Sequence, residues 1–521
     1  MKAGRITRRE AVGFLTSTAA AAALPGALAA ELPARDRAVI AWPPRLLRVR
    51  ENINTFAANP TKLAALQNGV TVMKSRSTIN QDDPTGWYYW ASSHGTDNPV
   101  PPALVSIYNQ CRHGSPHFFS WHRAFLYYFE QTLRAASGDA SLNLPYWNWY
   151  ASASIPAAFT TPANSTNPLW NSRFSDTTAG LSQGPFSDGN LLAPPYPGFS
   201  SDLEGNPHAS VHSEIGGDMG FIDRSARDPI FWLHHCNIDR LWNVWVNEGH
   251  SNPAPGDPWS SENFLFDVAG TMHKTAGQVV NTRTMLGYIY DEETSPVPKP
   301  IWWKIIYAVA LVARPYIGPG PVETNTPRTP VGPGPMERPA PGAMMNMTAK
   351  ASVASVLGQR FALGSQSSQI HFQLSAPDRG RLQRFAERPR ENEQEDVELV
   401  LNGVQIAPEG SNGGYSYLVC VAVPPGTVEQ QVLDRQCVGV INSFTISVQE
   451  EHQRKMGASS AEGVTLRFPL GKAVKALGPK TFDEDVPVTF VAQHGSLRAG
   501  EGQKSYISVK DAHLDFTGGA K

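Results

Sequence analysis

Residues 228–242, DPIFWLHHCNIDRLW, and residues 204–220, EGNPHASVHSEIGGDMG, decide how this chain is read. In the first, Asp228 can cap a helix and Pro229 can fill its first turn, so the spacing predicts a helix from about Pro229 to Asn247. Neighbouring side chains diverge by about 100° on a helix, so only one of His234 and His235 can face a given point. In the second stretch His208 and His212 are four residues apart and share one helical face, which lets two imidazoles reach one ion. Further out, residues 111–130, CRHGSPHFFSWHRAFLYYFE, predict a helix from about His117 to Ala136, with Trp121, Phe125, Tyr128, Phe129, Thr132 and Leu133 at helical spacing. His122 falls near its start, His113 nine residues earlier, and His94 upstream in WASSHG. His113 and His117 are also four apart and compete with that assignment. Pro116 argues against them, because it disfavours helical dihedrals at Ser115.

Eight of the fourteen histidines lie between residues 94 and 235, and that clustering is the chemical signal. Imidazole suits zinc, copper, iron and nickel, and no thiolate or carboxylate stands at an evident ligand spacing. Neutral, nitrogen-only ligation at paired sites favours copper over hydrolytic zinc, which commonly recruits a carboxylate or an HExxH helix that this sequence lacks.

The rest of the 521-residue chain sets bounds. Forty-four basic against 46 acidic side chains give a net charge of −2, which excludes a nucleic-acid binder relying on overall charge. A hydrophobic share of 41% excludes disorder over most of the length. Arg8 and Arg9, the apolar run 11–28 and the small pair Ala27 and Ala29 make residues 1–30 a twin-arginine export signal, so a periplasmic or secreted protein is expected. The apolar stretch 301–313 is too short to cross a bilayer, and no membrane partner is expected. Residues 156–207 hold no long periodic run and read as a loop excursion that shapes a cleft. Pro/Gly motifs such as RPYIGPGP mark a linker over 314–347, separating a catalytic unit at 31–313 from a unit at 348–521. In the latter IHFQL, VELVLNGVQI, YSYLVCVAV, SFTISV and VTLRF alternate like strands of an antiparallel sandwich. Cys420 and Cys437 can form one disulfide after export only if they lie close together.

The segment 111–130, LPYWNWY at 144–150, and the stretches 204–220 and 228–242 together resemble the two copper-binding signatures of tyrosinases, catechol oxidases and other polyphenol oxidases. LGYIYDEE, with Tyr288 and Tyr290, is similar to the tyrosine motif that closes the catalytic domain in plant-type members. NEQEDVELVLNGVQI and VTLRFPLGKAVKALG look like pieces of their C-terminal β domain.

The resemblance implies a mainly α-helical core, a four-helix bundle around a type 3 dicopper site, followed by the β domain. The first copper would take His94, His113 and His122, and the second His208, His212 and His235, with His234 an orienting or packing residue and His117 a cleft wall. Phe231 matches the aromatic packed over the site, and Ile222, with Phe221 as the other candidate, falls where relatives carry a gate residue. Asp239, one turn after His235, is placed to hydrogen-bond a ligand histidine or Arg240. Glu204 matches the glutamate that holds a water for removing a phenolic proton. Relatives with strong monophenolase activity often pair it with an asparagine, where this chain has Ala209, whose methyl group cannot orient water.

The expected activity is therefore oxidation of o-diphenols to o-quinones by O2, with weak or no monophenol hydroxylation. An o-aminophenol oxidase of a biosynthetic pathway and a haemocyanin-like oxygen carrier are the alternatives. The partners are a small phenol and O2, with a copper-delivering helper protein left open. No thioether to a first-site histidine is expected from Cys111, and Cys236 is expected to be buried and inert. The C-terminal domain of relatives often covers the copper entrance.

Overall fold

The computed structural model describes residues 47–179, 181, 196, 198–294, 353–357, 360–387, 396–425, 427, 430–457, 462–482, 485–493 and 504–517. The export signal at 1–30, the stretch 301–313 and the linker at 314–347 lie outside the described residues. The chain is mostly helical through residue 294 and β-rich after 353.

Four helices frame the first part: α1 (Pro60–Ile79), α2 (Trp87–His94), α3 (Phe118–Ser137) and α5 (Pro229–Asn247), with the short α4 (Ala209–Ile215) between the last two. Helix α5 begins where Asp228 accepts from the Ile230 amide and Pro229 occupies the first turn, where a missing N–H costs nothing. Helix α3 stops at Gly138, whose φ of 72° is the left-handed cap that favours glycine. The two helices interlock through aromatic rings, Phe125 against Trp232 at 4.9 Å and Phe119 stacked on Trp242 at 5.3 Å. Rings of this size supply most of the apolar burial of such a core.

A parallel pair, β1 (Arg48–Arg50) and β2 (Tyr288–Tyr290), closes this unit and brings Arg50, Tyr288 and Tyr290 beneath α5. There Asp239 accepts from both tyrosine hydroxyls at 2.6 Å, from Arg50 at 3.3 Å and from Arg123. The expected bond from Asp239 to a ligand histidine or Arg240 is not the one made: two buried guanidiniums and two phenols occupy the carboxylate. They also hold it below the usual carboxylate range, against the burial that would raise it.

Beyond residue 353 two sheets form. One runs β8 (Cys437–Asn442), β7 (Ser416–Val421), β10 (Asp485–Gln493), β5 (Ser368–Gln373). The other runs β3 (Val353–Leu357), β12 (Asp511–Thr517), β6 (Asp396–Ile406), β11 (Ser505–Val509), β4 (Phe361–Gly364), with β9 (Val464–Pro469) also paired to β6. Side chains of both sheets, Val419 and Phe490 from one and Leu399 and Leu514 from the other, join one apolar cluster. Cys420 and Cys437 are register partners on β7 and β8 and form a disulfide.

SFTISV, expected as a strand, is instead the start of a helix, α7 (Ser443–Lys455), which follows α6 (Ala376–Glu387). Its local cause is a capping box, in which the Asn442 side chain accepts from the Thr445 amide while the Thr445 hydroxyl accepts from the Asn442 amide. Helix α7 leaves the β-rich part and lies against the helical part. Phe444 and Val448 enter the first unit's apolar cluster, and Ile446 enters that of the sheets.

Candidate metal centre

Six imidazoles converge from four helices and two loops. His94 ends α2, His113 lies in the loop before α3, and His122 sits in its first turns. Their ring centroids are 5.2 Å (His94–His113), 5.6 Å (His94–His122) and 5.0 Å (His113–His122) apart. His208 ends a wide turn, Glu204–His208, that leads directly into α4, which carries His212; His235 comes from α5. Their separations are 4.6 Å (His208–His212), 5.0 Å (His208–His235) and 5.4 Å (His212–His235). The trios face each other, with His122 and His235 stacked at 4.5 Å and His113 and His208 at 5.5 Å. His117 stands apart, stacked on Trp259 at 5.6 Å with Nε2 at 3.1 Å from the Trp259 carbonyl.

The hydrogen bonds fix which nitrogen is presented. Nδ1 of His94, His122, His208 and His212 lies 2.7–3.1 Å from the carbonyls of Ile222, Phe118, Glu204 and Met219. A carbonyl only accepts, so each Nδ1 carries the proton and each Nε2 keeps its lone pair. Nε2 of His94, His113, His122, His208 and His234 is buried without a partner, and Nε2 of His212 lies 3.2 Å from Nε2 of His235. An unsatisfied buried polar atom costs about 1–3 kcal/mol, and native structures rarely leave several together. Burial, then mutual repulsion, holds the imidazoles of His113 and His235 well below their ordinary pKa, and burial takes His122 down to about 3. The ligand atoms gather in three overlapping groups, His208–His212–His234–His235, His94–Cys111–His113 and His94–His122–His235, and neutral imidazoles so placed fit two copper ions.

Around this centre Phe231 packs edge-on to His94 at 4.8 Å and lies 4.2 Å from His235. Ile222 is buried; its carbonyl accepts from His94 and its amide donates to Ser447 of α7 at 3.1 Å. Phe221 lies beside it under the Arg224 guanidinium, 4.0 Å from the ring centroid. Burial pushes the Glu204 carboxyl up to about 8, opposed by the Gly114 amide that donates to it at 2.6 Å. Ala209 is buried, and its carbonyl accepts from Asn442 at 3.3 Å.

One neighbour escaped the sequence reading, and a second, Cys111, enters it beside His113 only as a thioether that is not expected. Phe444 stacks on His212 at 4.1 Å and lies 5.3 Å from His208 and 5.5 Å from His113, so a ring from α7 lies over both trios. Cys111 is a free, buried thiol whose Sγ is 3.1 Å from Nδ1 of His113, the position that carbonyls hold at four of the other histidines. The spacing C-x-H was a local signal for that contact. Nothing in the spacing of SFTISV pointed to the site. Cys236 is likewise free and buried, and burial raises its thiol pKa.

The family model for the common central domain of tyrosinase matches residues 84–195 and 171–248. A tyrosinase of Streptomyces antibioticus is 34% identical over 28% of this chain and 68% of its own length. A tyrosinase of Hahella sp. (strain CCB-MM4) is 32% identical over 47% of this chain and 63% of its own, and a chloroplastic polyphenol oxidase of Malus domestica is 28% identical over 43% and 46%. The chain thus spans about half to two thirds of the length of several curated relatives it matches. The solved latent apple tyrosinase superposes over 91% of this chain and 98% of its own with a TM-score of 0.48 and 18% identity. The chain belongs to the tyrosinase family, whose members hold a pair of copper ions.

Proposed function

We propose that this chain is a copper-dependent polyphenol oxidase that oxidises o-diphenols to o-quinones with O2 and hydroxylates monophenols weakly or not at all. The observation that carries the reading is the double trio of buried, neutral imidazoles, four of them with an unpartnered Nε2 and the other two, His212 and His235, with their Nε2 atoms 3.2 Å apart. His94, His113 and His122 would hold the first copper, and His208, His212 and His235 the second. The bound pair supplies two-electron redox chemistry, coupling one O2 to two diphenols with two water molecules as by-product. The protein's residues do the rest. Phe231 and Phe118, whose ring lies 4.7 Å from His122, exclude water, while Ile222, with Phe221 as the other candidate, is the gate. Glu204, half-buried and with its carboxyl pushed up to about 8, is the candidate base for a phenolic proton. Ala209 offers no polar atom to orient a water beside it, which favours substrates that need no hydroxylation. The same residue permits an o-aminophenol substrate, the second reading.

The helical part reads as a four-helix bundle at 31–313 and the two sheets as an antiparallel sandwich at 348–521, joined by the linker at 314–347. The sandwich reading is supported by the single apolar cluster the two sheets share. This C-terminal unit acts as a cover, a role supported by Phe444 stacked on His212. Residues 1–30 direct twin-arginine export, and the Cys420–Cys437 disulfide is consistent with an oxidising compartment.

The test is to cut the linker, load the protein with copper and follow O2 uptake with a catechol, an o-aminophenol and a monophenol separately. Fast catechol oxidation and little monophenol turnover are expected. A preference for monophenol, or one copper per chain, would overturn the proposal.

A further inference from the structure

We infer that Trp149 is a positioning residue that keeps His234 from binding metal, an inference that rests on the dicopper reading. The ligand nitrogens of His208, His212, His234 and His235 all lie within 4.8 Å of one another, one imidazole more than a three-nitrogen site uses. His234 is fully buried, stacked on His208 at 5.4 Å and crossing His212 at 4.8 Å. Proximity alone does not exclude it.

The hydrogen-bond polarity does. At His94, His122, His208 and His212 a carbonyl accepts from Nδ1 and leaves Nε2 with a lone pair. At His234 the arrangement is reversed, because the Trp149 indole Nε1 donates to Nδ1 at 3.0 Å. An indole nitrogen can only donate, so Nδ1 of His234 must accept and the proton of the neutral ring sits on Nε2. One nitrogen is then engaged by the indole and the other carries hydrogen, so neither can coordinate an ion. The segment that carries the indole is tied to the same helix, since the Trp147 amide, two residues before Trp149, donates to the carbonyl of Leu233 at 3.1 Å, next to His234. A fourth nitrogen would close a site that must keep a position open for its reactants, as structural and catalytic zinc sites differ. His235, whose Nε2 meets that of His212, remains the α5 ligand.

The experiment uses the full chain loaded with Cu(I) and counts nitrogen donors per copper by X-ray absorption, with copper content measured alongside. Wild type should hold two coppers with about three nitrogens each. Trp149→Phe keeps an aromatic ring and removes the donor; one copper gains His234, and the average rises to about three and a half. Adding His234→Gln to Trp149→Phe should return it to about three, because an amide does not replace the imidazole. An unchanged count in Trp149→Phe overturns the inference. So does a His234→Gln single variant that binds only one copper, which decides the matter even if Trp149→Phe does not fold. Wild type binding other than two coppers would refute the dicopper reading itself, a distinguishable failure.

Discussion

Truncating Phe444 to alanine tests whether the C-terminal unit restrains the centre. The ring is 1% exposed and touches imidazoles of both trios. Loss of a buried phenyl costs about 3–5 kcal/mol. Where undocking would return that ring to water, the loss falls on the docked state. At the lower end, about 3 kcal/mol shifts the docked-to-undocked ratio roughly 150-fold, since about 1.4 kcal/mol is a factor of ten. The remaining bonds, Ser213 to the Tyr415 carbonyl at 2.8 Å, the Gly414 amide to the Ser213 carbonyl at 2.7 Å and Ile222 to Ser447, still tether the cover, so it loosens without leaving. Catechol-dependent O2 uptake by the copper-loaded full-length Phe444→Ala protein should approach that of linker-cleaved wild type, with Phe444→Leu between them. The decisive quantity is the ratio of cleaved to uncleaved rate. If that ratio is large in wild type and unchanged in Phe444→Ala, with equal copper contents and intact melting of the C-terminal unit, the ring is not what restrains the site.

Other perturbations read other parts of the structure. Ala209→Asn should raise the monophenol rate relative to the diphenol rate in linker-cleaved protein, and an unchanged ratio would remove Ala209 from the specificity argument. Burial depresses the imidazoles of His94, His113, His122, His208, His212, His234 and His235, so below about pH 6.5 the unfolded chain binds more protons than the folded one. Stability of the metal-free protein should therefore be full above that pH and fall beneath it by up to about 1.4 kcal/mol per pH unit for each imidazole. Equal urea midpoints at neutral and mildly acid pH would contradict this. Asp239→Asn leaves Arg123 without its carboxylate partner in the interior, while Arg50 keeps Glu130 at 2.6 Å, and should destabilise the helical unit by about 3 kcal/mol, measured by chemical denaturation. Replacing Cys420 and Cys437 together by serine opens a loop of 17 residues' separation and should cost the C-terminal unit about 3 kcal/mol; an unchanged melting temperature under reducing conditions would argue otherwise.

What could be read from the sequence was what local spacing encodes. Asp228 and Pro229 mark the start of α5, and the observed span, Pro229–Asn247, is the one their chemistry calls for. Helix α3 runs Phe118–Ser137, within one residue at each end of the expectation from its aromatic stripe. The grouping of His208 with His212 needed only a four-residue repeat. Asp239 was not legible in the same way. Its partners Arg50, Arg123, Tyr288 and Tyr290 are 49 to 189 residues distant; the parallel pairing of β1 with β2 brings Arg50, Tyr288 and Tyr290 under the helix, and Arg123 reaches it from α3.

Helix α7 shows why a correct rule can return the wrong element. Ser443, Phe444, Thr445, Ile446, Ser447 and Val448 alternate polar and apolar, and a period of two is the mark of a strand with one buried face. The alternation arises here because the helix is pressed between two cores. Phe444 and Val448, four apart, point into the apolar cluster of the helical unit, while Ile446, about 200° around the axis, points into that of the sheets. A helix buried on opposite sides must place apolar residues two apart as well as four apart. Only the Asn442–Thr445 capping box carries the helical signal locally, and it lies at the boundary of the run. The residue that the period-two reading assigns to a sheet interior, Phe444, is thereby the one delivered onto His212. Polar substitution of Ile446 should accordingly weaken the C-terminal unit itself, whereas Phe444→Ala acts on its attachment to the centre, and the two effects separate in denaturation against O2-uptake measurements.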